Sequence, residues 1–397
     1  MGRKVFKKIK VLVLFGLVLT IALTMGISGC KKQQAVQTSS ETTMQEETTA
    51  VESETSSDTN GQTTQETDGK KSDMEITGNI NILSGLEISD KVLNSRPLAV
   101  MIENTPDARP QSGLINADVV FEVVDEYGIT RFVAVFSSYD SDLVGPVRSA
   151  RPYYAEIARS FDPVYIFWGT APIFYKVIEN LGLDYLSPLG DQSGNSSITG
   201  NFIDPGRGGG EGKDAIRDTS RDVAFEHTAY IRLPRMKEIA SEQGYKLEGG
   251  QQSSFHFKLD AQESDRGDIS KITIDYSIPQ YKSLFEYDSK NNNYVKSVAG
   301  SPSTDRESGE QIAVNNVIVM VTDIKNSGDS SGHMIVRTTQ EGEAFYFFDG
   351  KLVEGTWSRS SALDPFTFKD KDGNVVLFNR GHTWVGVISG IDRVDYQ

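Results

Sequence analysis

The sequence predicts an α/β domain followed by a smaller, mostly antiparallel β domain, carried behind a leader and a disordered N-terminal tether. Three observations lead to this reading. Between residues 80 and 249, short apolar runs alternate with segments of helical period, the pattern of helices laid over a sheet. From residue 250 to 397, strand-like runs follow one another between turn dipeptides, with no convincing helix. Before residue 80, Thr, Ser, Gln and Glu dominate. Such a stretch has little to bury, so chain entropy keeps it unfolded.

The leader comes first. Arg3, Lys4, Lys7, Lys8 and Lys10 precede an apolar run from Val11 to Met25, which ends at Ile27-Ser28-Gly29-Cys30. Residues 1–29 read as a lipoprotein signal peptide, cleaved before Cys30 so that the sulfur carries diacylglycerol. The alternative is an uncleaved anchor, but a membrane span needs about 20 apolar residues and this run is shorter. Two or three acyl chains give stable anchorage where one does not. The expected address is therefore the extracytoplasmic face of the cell membrane. Residues 30–79, acidic and repelled by anionic lipid, form the expected tether. Cys30 is the only cysteine, so core packing and not disulfides must hold the body together.

In the α/β half, residues 98–102, 119–124, 132–136 and 164–167 read as strands. A helix is expected from Ser149 as N-cap to about residue 160, with Pro152 in its first turn. Further helices are expected over 172–181 and 234–243, the latter stopped by Gly244. In the β half, 269–276, 285–287, 294–298, 314–322 and 334–338 read as strands. Asp349-Gly350 joins 344–348 to 352–357 as a tight hairpin, and Asp372-Gly373 turns the chain into 375–378.

The formal net charge of −15, partly contributed by the tether, disfavours nucleic acid, which requires a basic face. Familiar chemistries fail on residue identity. The Gly-rich stretch 204–213 has Arg207 where a phosphate loop needs glycine, and Asp214 follows it where a hydroxyl is needed. There is no nucleophile elbow and no closely spaced histidine pair. No cofactor and no dedicated metal site is expected, although carboxylate-bound calcium or magnesium stays open.

The richest segment runs from Asp118 to Arg159. Glu122, Asp125 and Glu126 fall at or just after one strand, and Thr130-Arg131 opens the next. Gly145-Pro146-Val147-Arg148-Ser149-Ala150-Arg151-Pro152 then carries two arginines into a helix start. Helix N-termini attract anions, and arginine forks suit phosphate or carboxylate. Arg131, Arg148, Ser149 and Arg151 are the expected ligand-binding set. Equally compatible is an internal network in which Arg148 or Arg151 locks onto Glu122, Asp125 or Asp162. His227, the only histidine of this half, and Glu122 are the candidate general acid/base pair. Trp357 and Trp384 are expected in the core; exposed, they would stack on sugars or on a partner.

Arg96-Pro97-Leu98-Ala99-Val100-Met101-Ile102-Glu103-Asn104, Ala108-Arg109-Pro110-Gln111-Ser112-Gly113-Leu114, Ile129-Thr130-Arg131-Phe132 and the Gly145–Pro152 segment resemble the YerB-type lipoproteins. Gly355-Thr356-Trp357-Ser358 and Gly381-His382-Thr383-Trp384 resemble the family's C-terminal part. The resemblance implies a lipid-anchored envelope protein of two domains with no established activity. The leading expectation is a binding protein for an anionic wall polymer or its lipid-linked precursor. The alternatives are an envelope hydrolase or transferase using Glu122 and His227, and a protein-interaction scaffold.

Overall fold

One large mixed sheet runs through both halves of the chain, and its two covered faces organise the rest. The computed structural model describes residues 78–138, 141–249 and 253–397. The expected signal peptide, Cys30 and the expected tether up to residue 77 lie outside these described residues. In chain order the ten strands of the large sheet are β1 Leu98–Glu103, β2 Val119–Val124, β3 Thr130–Phe136, β4 Val164–Ile166, β5 Tyr185–Leu186, β6 Asn316–Val321, β7 Gln340–Phe348, β8 Lys351–Arg359, β9 Thr367–Asp370 and β10 Thr383–Ile388. Across the sheet they run β9-β8-β7-β6-β10-β2-β3-β1-β4-β5. β10 lies parallel to both neighbours, and β1, β4 and β5 are mutually parallel.

Every residue of β1, β2 and β3 is buried, which explains their nearly unbroken apolar sequences: both faces of this sheet are covered. On one face Met101, Phe121 and Val133 share a core with Tyr154 and Ile157 of the helix Pro152–Arg159 and with Phe255 and Phe366. On the other, Val100, Phe132 and Ala134 pack with Met236 and Ile239 of the helix Leu233–Glu242. Ile272, Phe285 and Tyr294 join that second core. They come from a smaller antiparallel sheet built on Lys271–Asp275, Lys282–Asp288 and Asn293–Val298. Its strands alternate buried and part-exposed residues, as a one-sided sheet must.

The expected elements of both halves are present, including the hairpin that pairs Phe348 with Lys351 across Asp349-Gly350. β10 was not expected, because Thr-Trp-Val-Gly-Val-Ile carries a strand-weakening glycine. The tertiary contact supplies the reason for it: a Cβ at Gly386 would stand 2.6 Å from the Tyr276 hydroxyl oxygen. The two sheets approach too closely there for any side chain.

One expectation, the helix cap, is corrected, and the expected place of the tryptophans in the core is found. Arg151 stands at the N-cap position without a side-chain cap bond, and Ser149 instead donates its hydroxyl to the Trp168 carbonyl at 3.1 Å. Trp357 and Trp384 are fully buried, donating to the Val321 carbonyl at 2.8 Å and to Glu122 at 3.2 Å. Neither can face a partner, which removes that version of the scaffold reading.

Candidate functional site

Two of the three expected arginines are sealed. The turn after β2 presents Asp125 and Glu126 side by side, with Tyr127 in the left-handed region. Arg151 reaches back to it as a fork, Nε to Glu126 Oε1 at 2.6 Å and Nη2 to Oε2 at 2.7 Å. Its Nη1 donates to the Ala150 carbonyl. Arg131 pairs with Asp125 at 2.7 Å and donates to the Ser149 carbonyl, while Tyr153 donates to Asp125 at 2.9 Å. Burial opposes ionisation of Asp125, but Arg131 and Arg151 outweigh it and hold its pKa below the ordinary value. For Arg151 burial is likewise outweighed, chiefly by Glu126, and its pKa is raised. Four charges thus neutralise one another in a dry knot.

Arg148 is different. Gly145, with φ of 153°, begins the segment; a Cβ there would meet the Ala229 carbonyl oxygen at 2.8 Å. The chain is then bound on both sides, Val147 N to Ala229 O and Arg148 N to Met101 O. This seats the Arg148 side chain between the end of β1 and the turn Phe225–His227. Its charged neighbours are Glu103 at 3.4 Å and Glu226 at 3.9 Å. Among the described residues nothing accepts a hydrogen bond from its guanidinium, and its Nε is buried and unpartnered. Burial pushes its pKa down, with Glu103 opposing.

The Arg148 side chain remains 24% exposed and lines an open pocket of about 330 Å³ with Ser149, Trp168, Leu189, Phe225 and Glu226. Asp204 and Arg217 on the wall are already joined by a fork of 2.8 and 2.6 Å, and Arg217 lies 4.0 Å from the Phe225 ring centroid. The pocket thus sets Trp168, Leu189 and Phe225 beside charged groups, of which Arg148 is the guanidinium with unused donors.

The candidate acid/base residues do not converge. Glu122 has no exposed surface. It accepts from Asn104 at 3.1 Å, Thr130 at 2.9 Å and Trp384 at 3.2 Å, and faces Lys296 at 3.9 Å. Such enclosure contradicts a general-acid role for Glu122, since no substrate atom can reach it. Lys296 is equally buried, and burial pushes its pKa down to about 8, with Glu122 opposing and Arg109 adding to the fall. His227 instead bonds through Nδ1 to Glu103 Oε2 at 2.8 Å. Glu103, not the adjacent Glu226, orients the ring.

Glu103 and Lys296 are the polar residues that sequence reasoning missed. Each carried a signal: Glu103 ends an otherwise apolar strand, and Lys296 stands in the buried phase between Tyr294 and Val298. Among the described residues no group of three His, Cys, Asp or Glu side chains is placed to hold a metal ion. No helix among them is long and apolar enough to cross a membrane.

Comparison with known proteins places this architecture. Residues 83–246 match the N-terminal domain, and residues 272–385 the C-terminal domain, of the protein of unknown function DUF3048. A curated relative from Bacillus subtilis (strain 168), named "Putative lipoprotein YerB", is 30% identical over 313 residues, 78% of this chain and 86% of that protein. The chain belongs to the YerB-type family. The crystal structure of YerB from Bacillus subtilis superimposes with a TM-score of 0.66 at 28% identity, covering 80% of this chain and 99% of the other. Within this YerB-type frame, the N-terminal domain supplies β1 to β5 and the C-terminal domain supplies β6 to β9 and the first residues of β10. The large sheet crosses from one to the other where β2 pairs with β10.

Proposed function

We propose that this YerB-type protein is anchored through lipidated Cys30 at the extracytoplasmic face of the membrane and binds an anionic, envelope-derived ligand at Arg148. The observation that carries the reading is the idle guanidinium of Arg148, part-exposed at a pocket mouth with no hydrogen-bond acceptor among the described residues. The buried Nε faces Glu103 at 3.4 Å, so a ligand oxygen would instead be met by the Nη groups, which have no acceptor among the described residues. Glu226, itself 53% exposed and 3.9 Å away, is a loose counter-ion that an incoming anion displaces. Arg131 and Arg151 take no part in this version of the site, because both are buried and held in close ion pairs to Asp125 and Glu126.

The full chain carrying Cys30→Ala is expected in the soluble fraction and not with membranes, which makes it convenient for binding. Titrated with purified anionic wall polymer, and with glycerol phosphate as minimal probe, it should bind with strong salt dependence. Arg148→Gln should weaken that binding about tenfold or more, the scale of one charge-assisted hydrogen bond. Unchanged binding by the Arg148 variant would sink the proposal.

A further inference from the structure

A second pocket lies elsewhere and uses an arginine that the Arg148 site does not touch. Glu103 and Asn104 are consecutive residues at the end of β1 with separate surroundings: Glu103 bonds to His227 and faces Arg148 at 3.4 Å, whereas Asn104 accepts from Arg109. Arg109 donates from Nε to Asn104 Oδ1 at 2.9 Å, and from Nη2 to the Asn104 carbonyl at 2.8 Å and the Gln280 carbonyl at 2.9 Å. The guanidinium carbon stands 5.3 Å from the Tyr281 ring centroid.

Asn104 is itself held by Glu122, Thr130 and Gln111. The guanidinium is therefore positioned from behind by buried polar groups, at no cost to an incoming ligand. Three of its N–H groups are spent. Its Nη1 has no partner among the described residues.

Arg109 lines a cleft of about 270 Å³ together with Gln111, Ser301, Ser303 and Thr304, and with prolines 106, 110 and 302. No Asp or Glu is among the lining residues. The three hydroxyl groups have no hydrogen-bond partner among the described residues. Behind the cleft the single carboxylate of Glu122 acts on both Lys296, at 3.9 Å, and Arg109, so the three groups together keep one positive charge. One wall belongs to the N-terminal family domain and the other to the C-terminal domain.

We infer that this cleft is a second, separate binding site, for the carboxylate group of a small hydroxylated or peptidic ligand. One nitrogen of one cation can serve a monoanion, and the hydroxyl groups complete the acceptor's and the ligand's remaining hydrogen bonds. A phosphate dianion would be left with one charge unmatched. The apolar surfaces of the prolines and of Val298 receive the ligand's carbon skeleton.

The test is a titration of the full chain in detergent with sodium glucuronate and with N-acetylalanine, each beside its uncharged counterpart, glucose and N-acetylalanine methyl ester. Inorganic phosphate is the third probe. At least one carboxylate should bind about tenfold more tightly than its uncharged partner, and which of the two does so identifies a sugar or a peptide source. Arg109→Gln should abolish that preference.

Because Arg109 also ties Asn104 to Gln280, the deciding variant is Ser301→Trp, which fills the cleft from an exposed position on the opposite wall. It should remove binding, while Arg148→Gln should leave it intact. Equal affinity for the uncharged partners, tighter binding of phosphate, or full binding by Ser301→Trp would each overturn the inference. Loss with Arg148→Gln alone would assign the carboxylate to the Arg148 pocket instead.

Discussion

Arg148 and Arg151 stand three residues apart in one segment and end in opposite situations. Arg151, already at the helix start, points back to the turn after β2, where Asp125 and Glu126 wait as a pair, and its fork is filled. Arg148, still in extended chain between β1 and the turn at 225–227, finds Glu103 already engaged by His227 and Glu226 only loosely near. A guanidinium becomes structural or available according to whether acceptors at 2.6–2.7 Å surround it, not according to its place in a motif. The buried knot is a closed electrostatic unit, and the open site is one donor set short of closure.

The largest expected difference between these regions is in stability. Arg151→Ala should cost about 3–5 kcal/mol, because it leaves Asp125 and Glu126 buried with a single cation. Arg148→Gln should cost less, since its nearest carboxylate, Glu103, stands back at 3.4 Å and keeps its bond to His227. Denaturant unfolding of the two variants measures the contrast, and equal losses would erase the distinction.

Next in size is the response to acid. Asp125 is held below its ordinary pKa in the folded state. Its contribution is therefore fully present above the unfolded value of about 3.9 and is lost as pH falls below it. Wild-type protein should lose stability on acidification more steeply than Asp125→Asn, and parallel pH profiles would remove the knot from the acid response.

The smallest effect is expected at the open site. Glu226→Gln, by removing a half-exposed competitor 3.9 Å from Arg148, should tighten anion binding a few-fold. Weaker binding would make Glu226 part of the ligand's own recognition.

Much of the fold was legible because burial writes itself into sequence period. The nearly unbroken apolar runs of β1 and β2 announced buried strands, and Asp349-Gly350 announced its hairpin. β10 was hidden because Gly386 lowers the strand signal for a reason located on another sheet, at Tyr276. Lys296 was hidden because a lysine in a strand reads as solvated, and only Glu122 beneath it accounts for its burial. At the site, the segment carrying Arg148 was visible as a concentration of charge, whereas the partner of each charge was not. Asp125, Glu126, Glu103 and Glu226 lie at different sequence distances from their arginines, and no local pattern ranks them.

By itself the sequence determined the local and compositional facts: an apolar run before Cys30, a polar stretch after it, an α/β half and a β half, and a family. These follow from composition and from short-range periodicity, which need no knowledge of distant contacts. Tertiary structure alone decided which arginines are consumed and which are idle. That outcome depends on distances of a few tenths of an ångström between side chains brought together from separate strands, turns and loops. It closed Arg131 and Arg151, left Arg148 open, and made Arg109, unremarkable within its motif, the cation of a cleft without carboxylates.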